Sequence, residues 1–223
     1  MNMRSLRQPG LVACATAMLL GACSSAPTHY HSLTPIHQTI GPLQSESGTI
    51  ACTSDATGQT TPQADPIGTV LLAHLAVPVE ANRMQLLLHQ TPTRLSVYET
   101  ERWAAPLGDQ ISFILIDNLR NALPNLSITR DPLLIGTGTP LQLNMEIEEL
   151  DALAGKEATV RALWRLSVAG NPASQTGTCT ARQPLRSTGI DELVLAWSHA
   201  LADISSAVAA SIQHRAGSDV SHK

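Results

Sequence analysis

The chain is poor in aromatic rings and in charge. Its 223 residues include three tryptophans, two tyrosines and one phenylalanine, and 14% are Asp, Glu, Lys or Arg. So few rings leave little for stacking bases or sugars. The core must come from Leu, Ile, Val and Ala, which the 43% hydrophobic fraction supplies. A basic excess is also lacking. The formal net charge is −4, against the basic footprint that nucleic acids demand, so no nucleic-acid partner is expected. Catalytic signatures are missing too: no phosphate-cradling Gly-rich loop, no Gly-x-Ser-x-Gly, no His-Glu-x-x-His. The eight histidines are scattered. The nearest pair, His29 and His31, lies in a segment with no rigid geometry to offer a metal. The expectation is a non-enzymatic protein without metal or cofactor.

The amino terminus is an address. Arg4 and Arg7 precede the apolar run Leu11–Leu20, about ten residues and too short to span a bilayer. No later stretch is expected to reach the roughly 18 apolar residues of a transmembrane helix. Leu20-Gly21-Ala22-Cys23 resembles the lipobox of bacterial lipoproteins, in which small residues fit the peptidase and the cysteine thiol takes up diacylglycerol. Residues 1–22 are then a signal peptide, and lipids on Cys23 are the membrane anchor, several acyl chains holding where one is marginal. Losing Arg4 and Arg7 leaves 12 basic against 18 acidic residues, a net −6. Ser24 rather than Asp follows the cysteine, which favours the outer membrane, periplasmic side, under the enteric-type sorting rule.

Cys14 leaves with the signal and Cys23 is acylated. Cys52 and Cys179 remain in an oxidising compartment, either as a disulfide or as free thiols, or with one in an intermolecular bridge.

Residues 23–67 read as lipidated terminus and linker. Gly41–Gly68 is rich in Gly, Ser, Thr, Gln and Pro and cannot bury enough apolar surface to order itself, so it reads as loop. The folded domain is expected over 68–214, with a tail over 215–223. Thr69–Val77 has the look of a strand covered on both faces, with His74 as a core histidine. Arg83–Gln90 and Arg94–Glu99 flank Thr91-Pro92-Thr93 as a hairpin. Pro106–Leu123 is a helix with Leu107, Ile111, Leu115 and Leu119 on one face. Leu126–Thr129 is a short strand. Leu141, Leu143, Met145 and Ile147 alternate with polar residues, as do Val160, Ala162, Trp164, Leu166 and Val168; period two marks half-buried strands. With Thr178–Arg182 they form an antiparallel meander. Its wet face sets Glu146 and Glu148 near Arg161 and Arg165, a weak structural pairing.

A last helix starts at Thr188-Gly189-Ile190-Asp191, spaced as a capping box. It carries a stripe through Ile190, Leu193 or Val194, Trp197, Leu201, Ile204, Val208 and Ile212. The fold class is α/β of the α+β kind: a two-layer sandwich, mostly antiparallel, with two helices on one face.

Several segments resemble one family, the PqiC/YmbA-type auxiliary lipoproteins of ABC-type and MCE transport systems. The segment from His29 to Pro35, containing Tyr30, His31, Ser32, Leu33 and Thr34, is similar to its Tyr-Tyr-x-Leu-x-Pro opening. Arg94–Glu99 followed by Arg102-Trp103-Ala104-Ala105-Pro106-Leu107 is similar to its Arg-Trp-Ala-Glu-Pro-Leu pattern, with Ala105 in place of the acidic residue. Val160–Val168 and Leu193–Ile204 also fit, while the long Gly41–Gly68 segment with Cys52 departs from the usual compact linker. The resemblance implies an outer-membrane docking subunit of an MCE-type system that moves phospholipids or other apolar molecules between membranes. Its partner would be a periplasm-spanning MCE-domain protein, and a ring-like homo-oligomer would suit the role. Arg102, Trp103, Pro106 and Leu107 become candidates for a partner surface, with Trp103 alternatively in the core. The competing reading is a stand-alone periplasmic lipoprotein that binds a small apolar ligand in the sheet–helix cleft, or a structural envelope protein.

Overall fold

In the computed structural model, the described residues are 26–37, 48–57, 68–91, 93–136, 138–153 and 155–218. The strands are β1 (His29–His31), β2 (Thr49–Thr57), β3 (Thr69–Ala76), β4 (Gln85–Thr91), β5 (Arg94–Trp103), β6 (Ser127–Thr129), β7 (Leu141–Leu153), β8 (Glu157–Val168) and β9 (Ser174–Pro184). The helices are α1 (Leu107–Ala122) and α2 (Ile190–Ser218). One mixed sheet runs β1-β5-β4-β7-β8-β9-β2, and β3 pairs with both β6 and β7. The hairpin β4–β5 and the meander β7–β8–β9 are antiparallel, whereas β1–β5, β3–β6 and β3–β7 are parallel.

The period-two pattern places the core. Leu141, Leu143, Met145 and Ile147 of β7, and Val160, Ala162, Trp164 and Leu166 of β8, are each at most 2% exposed. Leu107, Ile111, Leu115 and Leu119 of α1 cover part of that face. Each such side chain contributes about 1.5–3 kcal/mol by leaving water. By length and composition α2 could cross a membrane, but 83% of its apolar window is buried inside the fold. It is the core helix, packed on α1, β8 and β9.

Three expectations need correction. The fold does not begin at Gly68: β1 and β2 upstream belong to the same sheet, and β2 pairs with β9 over nine positions, Thr49↔Arg182 to Thr57↔Ser174. Weakly apolar composition hid β2 because it is an edge strand whose residues 51–55 are exposed. His74 is exposed, not core. A register shift between Leu72 and His74 in the β3–β7 pairing breaks the alternation that would have turned it inward. The Thr188/Asp191 capping box is also replaced. Glu192 reaches back instead, accepting the Arg186 N–H at 2.5 Å and the Ser187 hydroxyl. Those two bonds, the hydroxyl's first, hold its carboxyl below the usual carboxylate range.

Across β7 and β8 the ion pairing centres on Arg161, whose guanidinium lies 3.3 Å from both Glu148 and Glu149. A shift between Ile147 and Glu149 brings Glu149 into the pair.

Candidate functional site

The segment that follows β1 crosses the helices as an extended strap. The Leu33 N–H donates to Gln110 Oε1 at 2.9 Å, Thr34 N–H to Ser198 Oγ at 3.1 Å, and Ile36 N–H to Asn118 Oδ1 at 3.1 Å. Gln110 and Asn118 belong to α1 and Ser198 to α2, so the strap bridges both helices. Leu33 is its apolar peg, 5% exposed. Histidines pin both ends. His31 Nε2 lies 2.5 Å from Glu101 and its Nδ1 3.3 Å from Asp191, while His37 Nε2 lies 2.6 Å from Asp117. Side-chain acceptors aimed at backbone N–H groups hold a chain with little demand on its sequence. Each bond is worth about 0.5–1.5 kcal/mol net.

Trp103 closes β5 beneath the strap. Its ring stands 5.9 Å from that of Trp197 at 39°, a tilted pairing within the favourable range for aromatic rings. Trp197 Nε1 donates to the Asp151 carbonyl at 2.9 Å, which ties α2 to β7. Beside β1 lies a cleft of about 300 Å³ lined by Tyr30, His31, Thr34, Asp191, Leu195 and Ser198 among others.

The candidate residues for a partner surface divide. Trp103 and Leu107 are 2% and 1% exposed, so they are core and present nothing to a partner. Arg102 is half-buried, with its Nε donating to the Glu99 carbonyl at 3.3 Å, and Pro106 is exposed. Cys52 and Cys179 are register partners on β2 and β9, joined by a disulfide with Cα atoms 4.2 Å apart. Cys23 lies outside the described residues. Sequence reasoning missed the strap's clamp residues, because Gln110, Asn118 and Ser198 look like ordinary polar positions until the strap lies over them. It also missed Asp203, which lies off the apolar stripe of α2 yet is 3% exposed and accepts from Gln183 Nε2 at 2.6 Å. Among the described residues, no group of three or more His, Cys, Asp or Glu side chains could hold a metal ion.

Residues 52–209 match the family model of the ABC-type transport auxiliary lipoprotein component. The chain belongs to this family. Among curated proteins none matches it. Of solved structures, an uncharacterized protein overlays with a TM-score of 0.60 at 19% identity, covering 67% of this chain and 96% of that one. A Xanthomonas campestris protein overlays at 0.59 and 16% identity, covering 87% and 100%. These likenesses show a shared fold. A PelC dodecamer from Paraburkholderia phytofirmans aligns at only 0.37 and 16% identity, over 71% of this chain and 95% of that one, too loosely for its assembly to be carried over.

Proposed function

We propose that this family member is anchored to the periplasmic side of the outer membrane by lipids on Cys23 and acts as a non-catalytic docking subunit of an MCE-type lipid transport system. The observation that carries the reading is the strap. Six residues after the lipobox cysteine the chain enters the sheet, and from there it is clamped across both helices. A tether that only prevented loss of the protein would need no such fastening. One that fixes the height and orientation of a docking domain would.

The partner in this reading is a periplasm-spanning MCE-domain protein, and assembly as a ring of copies would present one docking face to it. The stand-alone carrier reading has less support. Its sheet–helix interface is filled by Leu115, Leu119, Leu143, Leu166, Trp197 and Leu201, each at most 1% exposed, leaving an apolar ligand to displace packed side chains.

The test is co-purification of the lipidated protein from envelopes in mild detergent, with mass spectrometry of what accompanies it. Recovery of an MCE-domain protein supports the docking role. Recovery of the anchored protein alone, intact and folded, contradicts it.

A further inference from the structure

Strand β2 is held from one side. It ends the sheet and pairs with β9 alone, in a register that runs nine positions without a shift, and among the described residues no strand lies beyond it. Ala51, Cys52, Thr53, Ser54 and Asp55 are all exposed, so both faces of its middle stand in water. Ile50 is its contribution to the core, and it is only partly buried. A strand with exposed backbone bonds and few buried apolar contacts belongs to the part of a fold that opens first. The Cys52–Cys179 bridge is the covalent tie that keeps it in place.

β9 does not depend on that tie. It pairs with β8 over eleven positions, Glu157↔Pro184 to Ser167↔Ser174, and α2 packs on it. Cys179 is fully buried, as is Ala181 in the same row of the strand.

The bridge thus joins a buried cysteine to an exposed one. Exchange proceeds by in-line attack of a thiolate on one sulfur, which expels the other. Attack on Cys52 Sγ comes from the side away from Cys179, which is the open edge of the sheet. Cys179, with no exposed surface, offers no such approach.

We infer that Cys52 is a thiol–disulfide exchange site, and that a protein dithiol acting there unlatches β2 while the rest of the domain stays folded. The first thiolate of the dithiol forms a mixed disulfide with Cys52, and Cys179 leaves as a thiolate that takes up a proton. The second thiol, deprotonated, attacks the mixed disulfide and closes the dithiol's own disulfide. Cys52 leaves as a thiolate and is protonated in turn. Two electrons and two protons pass from the dithiol to the bridge. The edge of the sheet then moves in from β2 to β9.

The experiment uses the full oxidised chain, folded and without denaturant. Reduced glutathione serves as the monothiol probe, with acid quenching, thiol capping and mass spectrometry of the Cys52 and Cys179 peptides. The glutathione adduct is expected on Cys52, with the released thiol on Cys179. Dithiothreitol is then used to complete the reduction, and hydrogen exchange is read along the chain. Residues 49–57 should exchange about tenfold faster or more, with β7 and β8 unchanged. The double variant Cys52→Ser with Cys179→Ser should show the same fast exchange at 49–57 with no reductant present. A bridge that yields to thiols only once the chain is unfolded, or an adduct found on Cys179, overturns the exchange site. Reduced protein whose β2 keeps its protection overturns the latch. So does reduced protein that loses protection throughout β7 and β8, because the bridge would then staple the whole domain.

Discussion

Thr34 donates its backbone N–H to the Ser198 hydroxyl at 3.1 Å, across 164 residues of chain. That hydroxyl also donates to the Val194 carbonyl one turn back at 2.9 Å, so its orientation is fixed before the strap arrives. With Gln110 and Asn118 it makes the helix pair a receptor for an extended segment. The transport proposal depends on this receptor, because with the proposed lipid on Cys23 it would turn a tether into a rigid mount.

Loosening the receptor should free the strap before it unfolds the domain. Gln110→Ala removes the acceptor for Leu33 N–H and the donor to the Ala105 carbonyl. With Asn118→Ala it should cost about 1–3 kcal/mol. It should also raise amide exchange at residues 33–36 by at least tenfold, with exchange in β7 and β8 unchanged. Hydrogen exchange read by mass spectrometry decides the matter, and uniform acceleration would mean that the strap is merely one part of the core.

Gly177 is a tight point on β9. A Cβ there would collide with the Trp164 ring and with the Thr53 carbonyl on β2. Gly177→Ala should destabilise by about 1–3 kcal/mol through overpacking, measured as a lower urea midpoint. The same change at Gly170, where no atom lies within 4 Å of a Cβ but φ is +78°, should cost less, about 1 kcal/mol of backbone strain.

The Cys52–Cys179 bridge closes a separation of 127 residues. Cys52→Ser and Cys179→Ser should each lower stability by a similar amount, about 2–4 kcal/mol, and the oxidised wild-type chain should show no free thiol from this pair. Unequal shifts on chemical denaturation would mean that packing of the fully buried Cys179, rather than the bridge, sets the effect.

The start of α2 should respond to acid. The Glu192 carboxyl titrates lower in the folded chain than in the unfolded one, owing to the Ser187 hydroxyl and then the Arg186 N–H. Its help is therefore present at pH above the ordinary carboxylate range and is lost as pH falls through the depressed value. Glu192→Gln should remove that acid-dependent fraying of residues 186–192, followed by NMR shifts across pH 2–6. An unchanged profile in the variant would assign the transition to another acid.

Much of the architecture was legible because periodicity reports burial directly. The alternation from Leu141 to Ile147 and from Val160 to Val168, and the fourth-residue repeat of α1, are signatures of a face in water and a face out of it. Parts that depend on distant partners were not legible. β2 is held by the β9 ladder and the disulfide rather than by its own apolar content, and β1 is three residues long. A bulge exposes His74, a change no alternation pattern announces. Asp203 hides in plain composition, since only the folded chain places Gln183 against it. Of the candidate site, the motif around Trp103 was visible but its direction was not: Trp103 and Leu107 are buried in the core, and the segment after β1, from Ser32 to Ile36, lies over the helices.

The most direct test of the central claim is the intact mass of the amino-terminal peptide from protein extracted from envelopes. The account predicts a chain that starts at Cys23 and carries diacylglyceryl and acyl mass on that residue, with Cys23→Ala unprocessed or released from the membrane. A mature protein with unmodified Cys23, or a Cys23→Ala variant that still matures and fractionates with membranes, would contradict it.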